Sequence, residues 1–531
     1  MKNSLDKLLA TLFLTFSAFV ANAQVFDNLA VGKYNVGFTI ITFIDSSRVT
    51  DPLYNYFGER ETIDRHKKIS VHVWYPSAQS NAKTRRLAFR DYTSSHLLKS
   101  LDNELTKKDQ QLAEQRIKSF LLNNFSVGAI KADSLLSLST LAARDLSLTR
   151  GEFPLIIGVL RQFSTTITNE MLASNGYIVA MVKGSVTSYP AGYIEDVQDI
   201  RFAVHMLKTF FHFDEDNLGT YGFSGSGFSQ LIFAMNDPRV RAIADLESAY
   251  YTGAAWSQIS SSNHYNVRNL RIPFMHFARG HMVAQDDHLN DFYRKIYSER
   301  YRILVNAKSF HHWDFAAEGR LASLSSESHE GTSDIKVSFE VVNKLLLIFF
   351  DAYLKSDKNM HDLISQTSDL RKMFDGKLWT MEHLRALEVP PSRDRIVELI
   401  QRIGIDAAIG KIRAFHKKDS LWDAFHENQL NFLASQYSSQ GNNTEAVALM
   451  RLAVEFYPNE AWLWLNLAGY LEANKNVGDA IHACATALRL LANDNSSAGS
   501  FNGRIKTSAQ AMHDRLTKTK LRSEHSPGNQ D

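Results

Sequence analysis

The chain carries one cysteine, Cys484, in 531 residues, so no intrachain disulfide can brace it. It has almost no net charge. The 59 Lys and Arg against 57 Asp and Glu leave +2, which speaks against a nucleic-acid or membrane-surface partner. No segment approaches 18 unbroken apolar residues, so no stable membrane insertion is expected. Metal-ligand spacing is missing as well: His205 and His212 lie on one expected helix, His276 and His281 flank a loop, and both pairs read as incidental. There is no Walker-type or dinucleotide-binding glycine loop, so neither metal nor cofactor is expected.

What is present is ample material for a core. Apolar residues make up 44% and charged residues 22%, and the length calls for two or three domains. Lys2 and Lys7 precede an apolar run from Leu8 to Val20, and Ala21-Asn22-Ala23 forms an A-x-A cleavage site before Gln24. Residues 1–23 therefore read as a signal peptide, and an exported protein, periplasmic or secreted, is expected. A near absence of cysteine suits a periplasm without dependence on disulfides.

Along the chain, Tyr34–Ile40 and Ile69–Tyr75 alternate and open an antiparallel sheet. Residues 92–150 are polar and helical, with Leu97, Leu98, Leu101, Leu135, Leu136, Leu138 and Leu141 at helical spacing and no strand candidate. Lying between strands of one sheet, they read as a helical cap insertion, a place where pockets are built. Phe153–Leu160 and Gly176–Val182 are continuous apolar runs, as in parallel strands buried on both faces. Val197, Ile200, Val204, Leu207 and Phe211 mark an amphipathic helix. Strands are then expected at Leu218–Tyr221, Val240–Leu246, Ile272–Phe277 and Tyr301–Val305, and a closing helix at Val341–Leu354. This alternation predicts an α/β domain over 24–358 with a doubly wound, mostly parallel sheet.

Beyond it the strands are expected to stop. Residues 359–426 read as a helical linker or degenerate repeat, broken at Val389-Pro390-Pro391-Ser392. Residues 427–495 show a 34-residue period. Leu433, Tyr437, Ala446, Ala453 and Pro458 fill one copy; Trp464, Leu467, Ala480 and Ala487 belong to the next. The pattern resembles tetratricopeptide repeats, which implies an all-α repeat domain and a possible protein partner. Residues 393–426 would supply a third helix pair, and residues 518–531 read as a disordered tail.

The stretch Leu218–Ser229 carries the chemistry. Gly222-Phe223-Ser224-Gly225-Ser226-Gly227 resembles the G-x-S-x-G nucleophile elbow of α/β-hydrolases, in which a serine sits on a tight strand-to-helix turn. Small residues are needed around the serine, and Gly222, Ser226 and Gly227 supply them around Ser224. Ser226 fails as nucleophile because Phe228 would then stand where a small residue is required. A serine needs a base, and the base an orienting carboxylate. Phe310-His311-His312-Trp313-Asp314-Phe315 follows the last strand, with His312 favoured over His311. For the acid, Glu247 ends one strand, while Asp286 and Asp287 follow the next; spacing alone does not separate them.

Residues 31–355 further resemble the platelet-activating-factor acetylhydrolase and dienelactone-hydrolase-like branch of the α/β-hydrolases. The resemblance rests on Val31–Gly37, Val73-Trp74-Tyr75-Pro76, Phe153-Pro154-Leu155-Ile156, Asn175–Ala180, the GFSGSG elbow, Ala244-Asp245-Leu246-Glu247-Ser248, and an H-x-x-F motif at His312–Phe315. It implies Ser224, Glu247 and His312 as triad, with Glu in place of the usual Asp. It also implies an oxyanion hole from the backbone N–H groups of Gly225 and Gln162. The family's His-Gly-x-Gly is absent: the stretch reads Leu160-Arg161-Gln162-Phe163, where Arg161 is either an anion contact or a solvated surface charge. The expectation is an exported serine hydrolase cleaving a small-molecule carboxylic ester through an acyl-enzyme. The alternatives are a catalytically weak or inactive scaffold acting through its repeats, and a peptidase using the same residues.

Overall fold

The computed structural model describes residues 24–49, 66–78, 85–93, 106–144, 146–161, 164–185, 191–248, 253–283, 290, 292–294, 296–325, 331–374, 376, 378–387, 396–418, 427–495 and 497–524. The expected signal segment lies outside them. The chain divides into two units, residues 1–387 and 388–531.

In the first unit, strands β1 (Asn35–Val49), β2 (His66–Ser77), β3 (Arg86–Ala88), β4 (Ser139–Arg144), β5 (Leu155–Leu160), β6 (Ile178–Lys183), β7 (Leu218–Phe223), β8 (Val240–Leu246), β9 (Phe274–Arg279), β10 (Arg300–Val305) and β11 (Trp379–Leu384) form one mixed sheet. Its order is β11-β10-β9-β8-β7-β5-β6-β2-β1-β4-β3. The block from β6 to β10 is parallel throughout; β2 joins it antiparallel on one side and β11 on the other.

β5 shows why the sheet sits inside. Leu155, Ile157 and Val159 pack in one apolar layer, and Ile156 and Leu160 in the other. Both faces are covered, so every position is apolar rather than every second one. Helices Ala191–Leu207 and Ser226–Asn236 cover the first layer through Val197, Ile200, Val204, Phe228 and Leu231. Helices Thr166–Ser174 and Thr332–Leu354 cover the second through Ile167, Met171, Leu345 and Phe349, joined by Ile117, Leu121 and Leu135 from the inserted segment. Ahead of β1, Val25 and Phe26 are buried in this layer. Buried Arg320 ties them down, donating to the carbonyls of Val25 at 3.0 Å and Asp27 at 2.9 Å.

The structure corrects three expectations. The insertion is not purely helical: after helices Lys107–Phe125 and Ala129–Leu136 comes β4, paired parallel to β1 with Val36 opposite Ala142. Its Leu141, Ala142 and Ala143 are buried, and alanine, a helix former by propensity, conceals a strand that tertiary pairing imposes. Strands also do not stop at residue 358. After helices Lys358–Ser365 and Thr367–Met373, β11 adds an antiparallel edge to β10 from Arg300 opposite Leu384 to Val305 opposite Trp379. Only Trp379 and Met381 of that strand are buried, so its apolar signal is too short to read in the sequence. Last, the described part of the expected disordered tail, residues 518–524, is helical: it ends Phe501–Glu524, one helix in which buried Ala509 and Leu516 supply the packing that overrides a polar composition. Residues 525–531 lie outside the described residues.

The second unit is all-helical among its described residues. Helices Ile396–Ile403 and Ile405–Lys418, Glu427–Ser439 and Asn443–Phe456, and Ala461–Ala473 and Val477–Leu490 follow one another as pairs ahead of Phe501–Glu524. Ala434, Ala446, Ala453, Ala468 and Ala480 are wholly buried where the helices meet, since a small side chain lets two backbones approach. Cys484 is buried there, and burial pushes its thiol up to about 11, so it is inert near neutral pH. No described helix in either unit is long and apolar enough to cross a membrane.

Candidate active site

The parallel strands deliver their carboxyl ends to one edge, where open α/β sheets bind ligands. Ser224 follows β7, Glu247 follows β8, Arg279 ends β9, and His312 begins a short 3-10 turn after β10. Strands β7, β8, β9 and β10 are neighbours in that order. Residues far apart in sequence thus meet without any long loop.

The turn at Ser224 is strained. Its φ is +54°, and Glu247 has φ +44°, two of the six described non-glycine residues in the left-handed region. Such a conformation costs about 1–2 kcal/mol in an ordinary L-residue, and persists where the surroundings over-determine it. They do so here. Ser224 N–H donates to Leu246 O at 3.1 Å, and Gly227 N–H to Ser224 O at 3.1 Å. Ser226 Oγ accepts from Phe223 N–H at 2.9 Å and donates to Phe223 O at 2.7 Å, so its hydroxyl is occupied in holding the turn. A Cβ on Gly222 would fall 2.8 Å from Gly227 Cα, and one on Gly227 would fall 1.6 Å from Ser248 Oγ. Both glycines are steric necessities.

Ser224 Oγ lies 2.9 Å from His312 Nε2, and His312 Nδ1 lies 2.8 Å from Glu247 Oε2. An ionised carboxylate only accepts, so Nδ1 carries the proton and the Nε2 lone pair faces the serine hydroxyl. Glu247 is 1% exposed. Burial pushes its carboxyl up, but hydrogen bonds from His312 and Arg279 and the electrostatic pull of these neighbours outweigh that and hold it below the ordinary glutamate value. Its other oxygen, Oε1, accepts from Arg279 N–H at 3.1 Å and Arg279 Nε–H at 2.6 Å. Phe223 stacks on the His312 ring at 4.8 Å, and Trp313 sits edge-on to Phe223 at 5.6 Å. Phe120, from the inserted helix Lys107–Phe125, meets Trp313 edge-on at 4.8 Å. The insertion therefore reaches the rim of the site.

Of the remaining sequence-derived candidates, Gly225 caps the helix Ser226–Asn236, whose N-terminus favours negative charge nearby. Gln162, Asp286 and Asp287 lie outside the described residues. His311 is exposed and takes no place in the array; its backbone N–H donates to Asp314 at 2.6 Å, closing the turn that begins with His312. Burial pushes Asp314 up to about 6, opposed by that N–H and by the charge of Arg279 and reinforced by Glu247. Arg161 is neither an open anion contact nor a solvated charge: it pairs with buried Asp196 at 2.7 Å. Asp196 also accepts from Ser185 N–H and from Ser229 Oγ, both at 2.7 Å, which fastens the loop after β6 to the elbow helix.

Two residues escaped the sequence reading. Arg279 is one, and an arginine closing the strand beside the acid's strand was the available signal. His276, set aside as incidental, is the other: its Nδ1 lies 2.5 Å from Asp245 Oδ2, and both residues are 1% exposed. Among the described residues no cluster of His, Cys, Asp or Glu could hold a metal ion.

No family model and no curated protein matches the chain. One solved structure similar to it is a ferulic acid esterase from Streptomyces cinnamoneus, at 17% identity, covering 66% of this chain and 97% of that one, with a TM-score of 0.43. The functional reading therefore stands on the site's own geometry.

Proposed function

We propose that this protein is a serine hydrolase of the α/β-hydrolase type that cleaves a carboxylic ester, exported after removal of residues 1–23. The observation that carries the reading is the unbroken hydrogen-bonded line from Ser224 through His312 to the buried Glu247. Ser224 Oγ attacks the acyl carbonyl as His312 Nε2 takes its proton. The imidazolium then passes that proton to the leaving alcohol, and water repeats the sequence on the acyl-enzyme. Glu247 holds the ring in the tautomer that attack requires and stabilises the charge it gains. The backbone N–H of Gly225, at the head of the elbow helix, would donate to the developing oxyanion, with Gln162 as the second donor. The platelet-activating-factor acetylhydrolase and dienelactone-hydrolase-like branch remains the family of best fit to the motifs. The helix pairs after residue 388 serve, as tetratricopeptide-like repeats, to hold a protein partner. A peptidase would use the same residues and differ in its substrate.

The test is hydrolysis of short p-nitrophenyl esters by wild type and S224A. Loss of at least about a thousandfold with unchanged thermal unfolding is expected. Equal activity in S224A removes the serine mechanism, and no activity in either protein favours a scaffold that keeps the fold without turnover.

A further inference from the structure

A glutamate that must present one oxygen to an imidazole has more side-chain torsions to fix than an aspartate in the same place. In this site the surplus freedom is removed by one neighbour. Arg279 gives Glu247 Oε1 two donors, its own backbone N–H at 3.1 Å and its Nε–H at 2.6 Å. With Oε1 fixed, Oε2 falls 2.8 Å from His312 Nδ1. The donors are themselves fixed, because Arg279 closes β9 in register with Val305 of β10. Its side chain is 14% exposed against 1% for Glu247, so the pair is little screened by water.

Charge matters as much as placement. A buried carboxylate beside an imidazole favours the charged ring, and a second positive group on the carboxylate weakens that pull. The charged groups facing Glu247 are Arg279 from β9 and, from the loop after β10, His312 and the buried Asp314, whose carboxyl responds to both Arg279 and Glu247. Asp245, on β8 itself, is turned to His276 and Ser248. The guanidinium is the fixed positive charge of this set.

We infer that Arg279 is a positioning residue for the proposed hydrolysis: it pins Glu247 so that its second oxygen meets His312, and it offsets the carboxylate so that His312 stays available as a base. The inference rests on reading Ser224 as the nucleophile. Labelling of Ser224 by a fluorophosphonate probe, followed against pH, tests it without knowledge of the natural substrate. In R279M the rate at its best pH should fall on the order of tenfold to a hundredfold. The pH at which labelling reaches half its maximum should rise, since the carboxylate's charge is no longer offset by the guanidinium. R279K keeps the charge but cannot reproduce the Nε–H contact, so it should label more slowly with its midpoint close to wild type. A labelled wild type whose midpoint R279M leaves unmoved overturns the role of Arg279 alone. Should R279M fail to fold, R279K decides, and a wild-type rate there overturns it equally. A wild type in which Ser224 does not label overturns the hydrolase reading and this inference together.

Discussion

Asp245–His276 and Glu247–His312 are the same chemistry set side by side at the end of β8. In the first pair both groups are 1% exposed and the carboxylate's other oxygen accepts from Ser248 N–H at 3.0 Å. In the second the carboxylate is equally buried, but the imidazole is 20% exposed and its far nitrogen meets Ser224. The first pair sits inside regular strand, with Asp245 directly opposite His276 in the ladder. The second springs from a residue at positive φ just past the strand. A carboxylate and an imidazole at bonding distance thus do not define a reactive site. What distinguishes the second pair is access to solvent and a serine hydroxyl beyond the ring.

Crossed substitutions give the largest contrast. H312A should lose Ser224 labelling on the order of a thousandfold or more, while its urea midpoint shifts by the equivalent of less than about 1 kcal/mol. H276A should do the reverse. Stripped of its imidazole, the buried Asp245 should destabilise the fold by about 3 kcal/mol, with labelling per folded molecule retained. Equal loss of stability in both variants would dissolve the distinction.

The steric join between the two pairs comes next. Gly227 of the elbow helix rests on Ser248, the residue that braces Asp245. G227A should destabilise by about 1–3 kcal/mol through overpacking. S248G should relieve part of it, so a double-mutant cycle of urea midpoints should show the pair less damaged than the sum of its singles. Strict additivity would mean that the two residues do not press on one another.

Backbone strain gives the smallest effect. S224A and S224G both remove the proposed nucleophile, but only glycine accepts φ +54° freely. S224G should therefore be the more stable by about 1 kcal/mol, measured by thermal unfolding. No difference would remove strain from the description of the elbow.

These contrasts also mark how far the sequence could be read. The elbow was legible because its demands are local: Gly222 and Gly227 are forced by contacts within a few residues of Ser224 or by the next strand end. His312 was legible from chain order, following a strand that its apolar run announces; for the acid, chain order left Glu247 beside Asp286 and Asp287, and only the motif resemblance favoured Glu247. Arg279 and His276 were not, because their roles arise from which strand lies beside β8 and in what register. β4 escaped because Leu135, Leu136, Leu138 and Leu141 keep a helical spacing across a boundary that only pairing with β1 fixes. β11 escaped because an edge strand buries one face and needs few apolar residues.

Arg320 has a practical consequence for where this domain can be cut. Its guanidinium lies in the core with the carbonyls of Val25 and Asp27 as acceptors. A truncation drawn at the start of β1 would take two backbone acceptors from this buried cation and leave it Glu340 at 3.4 Å, and an affinity tag fused close to Val25 would have to leave the core almost at once. The domain begins well ahead of its first strand.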